Sequence, residues 1–313
     1  YNAFGEMIGT IDPMGYTESY DYYSSGELYD FTDKNGSVTT YIYDKFGNVS
    51  SEFVVKANAQ TITKTFTYDV VGNLTALTQT IGNGTTQTTF YTYDGYGNML
   101  TETYNAITKT YTYDRAGNLL SAEITRVEEG SPVQLKCTVY TYDWLGRLHT
   151  VSDGTTVKAT YAYDNMSRLL TTVHSNGVTE TNAYNDAGLT TSVVNTDPEG
   201  MVISWYTYEY SLDGNQISKT DQNGRTEYTY DDLNRLIRVT YFDQSYDAYT
   251  YDANGNRVAK WFISQYEQIC EDYTYDNNDR LLETEILNVR SVTYSYDANG
   301  NMVEKQIVEP QQV

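Results

Sequence analysis

Two stretches near the end of the sequence, Asp252-Ala253-Asn254-Gly255-Asn256 and Asp297-Ala298-Asn299-Gly300-Asn301, set oxygen-bearing side chains at alternate positions around a glycine. That spacing suits a hard divalent cation held by a short loop. An EF-hand loop completes its oxygen shell with a bidentate acid at the twelfth residue, and those positions are Ile263 and Val308. The EF-hand form is therefore excluded, and the two aspartates read as turn caps. His149 and His174 are the only histidines. Neither stands beside a Cys or carboxylate cluster at ligand spacing, and neither pairs with a Ser or Cys nucleophile, so both read as surface or edge residues. Cys137 and Cys270 lie far apart in the sequence and read as free, half-buried thiols, because a disulfide would demand close approach of distant strands. These residues imply no catalytic group, no metal and no cofactor.

The recurrent chemistry is that of tyrosine and aspartate. Tyr occurs 34 times, against 8 Phe and 3 Trp. The tyrosines fall in a repeated stretch of the form Tyr111-Thr112-Tyr113-Asp114-Arg115-Ala116-Gly117-Asn118-Leu119-Leu120. With the second aromatic as anchor, the series runs Tyr1, Tyr22, Tyr43, Tyr68, Tyr93, Tyr113, Tyr142, Tyr163, Tyr184, Tyr210, Tyr230, Tyr251, Tyr275, Tyr296. About fourteen units of about 20 to 29 residues mark a repeat architecture, one continuous domain over residues 1–313. The repeated residues are Tyr43, Asp44, Gly47; Tyr68, Asp69, Gly72; Tyr93, Asp94, Gly97; Tyr113, Asp114, Gly117; Tyr142, Asp143, Gly146; Tyr251, Asp252, Gly255; and Tyr296, Asp297, Gly300.

Each residue type has a mechanical reason. Side chains alternate across a strand, so Tyr-x-Tyr places both rings on one face. Asp-x-x-Gly is the signature of a type I turn, in which the carboxylate bonds nearby amides and glycine takes the positive φ that closes the hairpin. Where glycine is missing the chain carries Ser167, Asn234 or Asp279, of which Asn and Asp tolerate that conformation best. Where Asp is missing, Asn2, Asn185 and Ser211 keep a capping oxygen and Tyr23 does not. Six residues past each anchor an apolar residue starts the returning strand, from Met7 and Leu28 to Leu281 and Met302. Thr190, Gln216 and Arg257 break that column, which predicts a one-residue shift or a bulge in those three hairpins.

Tyr-x-Tyr-Asp-x-x-Gly-Asn-Leu resembles the YD repeat of Rhs proteins, found also in wall-associated bacterial proteins, insecticidal toxin-complex shells and the teneurins. The resemblance covers nearly the whole chain. It implies a non-enzymatic structural module, secreted or at a bacterial cell surface, forming part of a shell or stalk that encloses or presents a toxic polypeptide. Its partners would be neighbouring repeats of the same longer polypeptide and an enclosed toxin domain. Rhs cores can end in an aspartate autoprotease with Asp-Pro motifs. Here Asp12-Pro13 and Asp197-Pro198 fall in repeat register, and the end, Glu309-Pro310-Gln311-Gln312-Val313, shows no such segment, so no protease residue is carried over.

Between each returning strand and the next Tyr-x-Tyr lies a second turn, signalled by Asp12-Pro13-Met14-Gly15, Asn35-Gly36, Asn83-Gly84, Asp153-Gly154, Asn176-Gly177, Asp197-Pro198-Glu199-Gly200 and Asn223-Gly224. Two short turns per unit predict an all-β fold: one antiparallel sheet of about 28 strands that strand twist coils into a spiral, a solenoid-like shell segment. Thr65, Thr67, Thr108, Thr110 and Thr112 belong to the water-facing side. Arg126-Val127-Glu128-Glu129-Gly130-Ser131-Pro132, in the longest gap, predicts a protruding charged loop. A net charge of −22 with scattered basic residues argues against nucleic acid, and no run is apolar enough for a membrane-spanning helix. A chain starting within a repeat reads as a fragment of a longer array. The alternative function is carbohydrate binding or adhesion through exposed tyrosine ladders; cross-strand packing explains the same alternation.

Overall fold

The computed structural model describes residues 1–309; the last four residues of the sequence lie outside the described part. Among the described residues the regular structure is 27 strands in one antiparallel sheet. Two compact units divide the chain, Tyr1–Val157 and a second beginning at Lys158. Within each, a strand pairs with those before and after it in the chain. Among the described residues the first strand, Gly9–Ile11, pairs only with Thr17–Tyr22, and Met302–Val308 only with Arg290–Tyr296, so the sheet is not closed into a barrel.

Every Asp turn has the same construction. In the hairpin of Ile107–Tyr113 and Leu119–Glu128, the Asp114 amide donates to the Asn118 carbonyl at 3.0 Å, and the Gly117 amide donates to the Asp114 carbonyl at 3.1 Å. Gly117 has φ of 85°. Tyr113 then faces Leu119 while Thr112 faces Ser121, so Leu120 is the extra residue of a bulge. The non-glycine copies Ser167, Asn234 and Asp279 adopt φ of 64°, 59° and 59° in the same position. Replacing Gly117 by Val is expected to cost about 1–2 kcal/mol through left-handed strain, and by Asn much less. No contact closer than 3.9 Å would complicate the comparison. Equal losses in denaturant melts would refute the turn geometry.

Three expectations are corrected. Thr190, Gln216 and Arg257 start their strands opposite Tyr184, Tyr210 and Tyr251 with no one-residue shift. The expected bulge is there, but it is not special to these hairpins, since those with Leu119, Val49 and Leu74 carry it too. The turn, not the apolar column, sets the register. The charged segment after Arg126 is no loop: Leu119–Glu128 and Ser131–Tyr142 run on as long strands, and only Glu129 and Gly130 turn. Pro132 pairs with Val127 at a point beyond the reach of Leu148–Ser152, which joins Ser131–Tyr142 only from Val139 onward. On such an open edge a missing N–H costs little. Thirdly, Thr108 and Thr110 are half-buried, while Thr65, Thr67 and Thr112 are exposed. Thr108 meets Thr103 across the strands, hydroxyl to hydroxyl at 3.1 Å.

Several second turns repeat the five-residue form. Gly36 and Gly177 donate to the carbonyls of Asp33 and His174, so each glycine is the fourth residue of such a turn. Burial follows the alternation of the strands. Anchors such as Tyr43, Tyr113 and Tyr251 are half-buried and the residue before each, Ile42, Thr112 and Thr250, is exposed. Among the described residues burial is rare and falls in the second unit, at the apolar Ala159, Val239, Ala259, Tyr273 and Val292 and the polar Thr172, Asn182, Ser218, Ser245, Asp247 and Thr284.

Candidate functional site

The recurrent site is the Asp turn with the anchor of the next unit. Asp114 Oδ1 accepts the amides of Ala116 and Asn118 at 2.8 and 2.9 Å, and its Oδ2 accepts the Asn118 side-chain amide at 2.9 Å. Asp44, Asp69 and Asp94 repeat this set with Asn48, Asn73 and Asn98. Asn2, Asn185 and Ser211 also cap their turns, whereas the Tyr23 hydroxyl leaves the turn and donates to the Tyr41 carbonyl.

The Asn side chain, reinforced by main-chain amides, holds the carboxyls of Asp44, Asp69, Asp94 and Asp114 below the ordinary Asp value of 3.8. A folded carboxylate with a lowered pKa binds fewer protons than its unfolded counterpart. These groups therefore stabilise the fold above pH 3.8, and the contribution disappears as acid carries the pH through the lower folded pKa. The melting temperature should drop below about pH 4, and less so in a variant with these four Asp changed to Asn. Identical acid profiles for the two proteins would exclude the caps as the cause.

The anchors join one unit to the next. The Tyr43 hydroxyl donates to the Leu28 carbonyl at 2.9 Å, Tyr113 to Met99 at 2.9 Å and Tyr142 to Leu119 at 2.8 Å. In the second unit Tyr184, Tyr210, Tyr230, Tyr251, Tyr275 and Tyr296 donate to Leu169, Thr190, Gln216, Leu236, Arg257 and Leu281. In each of these pairs the acceptor is the residue that opens the preceding returning strand. Tyr113→Phe keeps the ring and loses the bond, at an expected cost of about 1 kcal/mol in chemical denaturation; unchanged stability would refute the fastener.

A second joint was not foreseen. Arg168, Arg235 and Arg280 replace the Asn that follows the turn, and each Nε donates to its own Asp at 2.6–2.7 Å. Their Nη1 groups reach the carbonyls of Asn185, Asp252 and Asp297 in the next turn. The guanidinium lies 4.8–5.0 Å from the ring centroids of Tyr184, Tyr251 and Tyr296. The signal was present in sequence as Arg four residues after Asp, which local spacing alone presents as an i,i+4 pair.

The groups weighed for chemistry are dispersed. Among the described residues no three His, Cys, Asp or Glu side chains gather as metal ligands. Asp252 binds the main chain and side chain of Asn256, as a cap does. His149 and His174 are exposed. Both cysteines are free and half-buried, and burial pushes the Cys270 thiol up to about 11, away from the reactive thiolate. Asp247 is a buried ionic group that accepts bonds from Tyr241 and Tyr249 and lies 3.3 Å from Lys260 Nζ. Most of the anchor hydroxyls that a sugar platform would offer, Tyr43, Tyr113, Tyr142, Tyr184, Tyr251 and Tyr296 among them, are committed to carbonyls.

Repeated hairpins, fastened by hydroxyl-to-carbonyl and guanidinium joints, define a tandem-repeat structural protein of the YD type. The chain belongs to the teneurin YD-shell family, whose model matches residues 2–136 and 42–211; an RHS repeat model matches residues 210–246. Its fold is similar to a chain of the TcdB2-TccC3-Cdc42 crystal structure, with 18% identity over 94% of this chain and 16% of that chain, at a TM-score of 0.56. TcdB2-TccC3 without its hypervariable C-terminal region gives the same values. A Photorhabdus luminescens Tc holotoxin pore with a substituted TccC3 shares 15% identity over 95% of this chain and 20% of that one, at a TM-score of 0.50. The chain thus spans 16–20% of those chains. No curated protein matches it.

Proposed function

We propose that this chain is a stretch of wall: one continuous array of repeats within a longer polypeptide, whose shell or stalk encloses or presents an effector polypeptide. The observation that carries the proposal is the chain of Tyr-to-carbonyl joints. It ties most hairpins to their neighbours through main-chain acceptors. Such a body would act outside a bacterial cell, secreted or at the surface, without catalysis of its own. Membership of the YD-shell family supports the structural role, and the fold shared with Tc toxin structures supports the enclosing one.

Protease protection tests this. In the polypeptide that contains the chain, the segment following the array should resist trypsin while the array is folded. It should become sensitive when glycines of the Asp turns, such as Gly117 and Gly255, are changed together to Val. Equal sensitivity in both proteins would reject enclosure.

A further inference from the structure

The second and third residues of an Asp turn take no part in its hydrogen bonding through their side chains, and polar residues are usual there. In the first unit three successive hairpins carry large apolar ones instead. Phe46, Val70, Val71 and Tyr96 are 73%, 97%, 78% and 92% exposed. Val70 follows Asp69 directly, while Phe46, Val71 and Tyr96 stand two residues after Asp44, Asp69 and Asp94. Every such turn joins a Tyr strand to its return, so all lie along one edge of the sheet. Successive turns stand two strand spacings apart, about 10 Å, which makes a regular row of apolar knobs.

The charge beside this row is mainly negative, three carboxylates against Lys45. The carboxylates of Asp44, Asp69 and Asp94 are capped by the neutral amides of Asn48, Asn73 and Asn98. Elsewhere the equivalent Asp143, Asp164, Asp231 and Asp276 are each neutralised by an arginine, while Asp252 and Asp297 keep an Asn partner. One cation already settles on the row: the Lys45 ammonium lies 4.8 Å from the Phe46 ring centroid.

We propose that this edge of the first unit docks a cationic, apolar segment of another polypeptide. Its aliphatic or aromatic side chains would seat between the knobs, and its Lys or Arg groups would face the carboxylates and the aromatic rings. A chain of net charge −22 repels both a phosphate backbone and a second copy of itself, which selects the basic partner.

The test is fluorescence anisotropy of the full chain with a labelled peptide of alternating Leu and Lys, against one of alternating Leu and Glu. Only the Lys peptide should bind, and added salt should weaken it. The double variant Phe46→Ser with Tyr96→Ser should bind about tenfold more weakly or worse, with an unchanged melting temperature because both side chains are exposed. Leu233→Ser, an exposed tip of the second unit, should change nothing. Equal binding of both peptides, or binding indifferent to the double variant, overturns the proposal. Self-association that the double variant abolishes would assign the edge to a second copy. Binding to phosphatidylcholine vesicles, abolished likewise, would assign it to lipid; either result also overturns the proposal.

Discussion

Gly177→Ala is expected to destabilise the second unit by about 2–4 kcal/mol, through left-handed strain together with overpacking. Gly177 has φ of 84°, and an added Cβ would stand 2.7 Å from Pro198 Cγ and 2.9 Å from its Cβ. A proline ring has no rotamer by which to yield, so the turn of Asp197 must shift bodily. Gly188 separates the two contributions, since its φ is 82° and a Cβ there meets nothing within 4 Å. Gly188→Ala should cost about 1 kcal/mol, the strain alone. Urea melts of the two variants decide the matter, and equal losses would show that the Pro198 contact is immaterial.

Asp276→Ala should cost about 2–3 kcal/mol, because it removes a turn cap and leaves a guanidinium without its carboxylate. Asp276 accepts the Asn278 and Arg280 amides at 2.9 and 3.0 Å and the Arg280 Nε at 2.6 Å. Both side chains of the pair are well covered, with exposures of 15% for Arg280 and 4% for Asp276. Asp276→Asn keeps an acceptor for the amides, as Asn185 does in its own turn, and should cost about half as much. Hydrogen exchange over Thr274–Leu281 is the appropriate measurement, and identical protection in the two variants would refute the capping role.

The hairpins were legible because local chemistry specifies them. Asp114 and Gly117 fix turn and bulge without reference to anything distant, and even the substitutes Ser167 and Asn234 keep the conformation. Position in the strand told which tyrosines share a face. The joints between units were not legible, since the acceptor of an anchor hydroxyl is a carbonyl, which every residue owns and no sequence displays. Arg280 was hidden for a related reason: one of its partners is a main-chain oxygen, and its ring contact lies sixteen residues on, at Tyr296. Pro132 misled because proline signals a stop wherever ladder bonds are needed on both sides, and the outer edge of that long hairpin needs none.

The carbonyl acceptors have a consequence for how such a chain can change length. The fastener recognises the backbone of its neighbour, so Leu28, Thr190, Gln216 and Arg257 serve alike at the receiving position. Any unit can therefore stand next to any other. Recombination between two misaligned gene copies, provided it cuts at equivalent points of the motif, would delete or duplicate whole hairpins and recreate the same junction at the scar. Wall length becomes a quantity that evolution can adjust in single steps, without inventing a new interface each time.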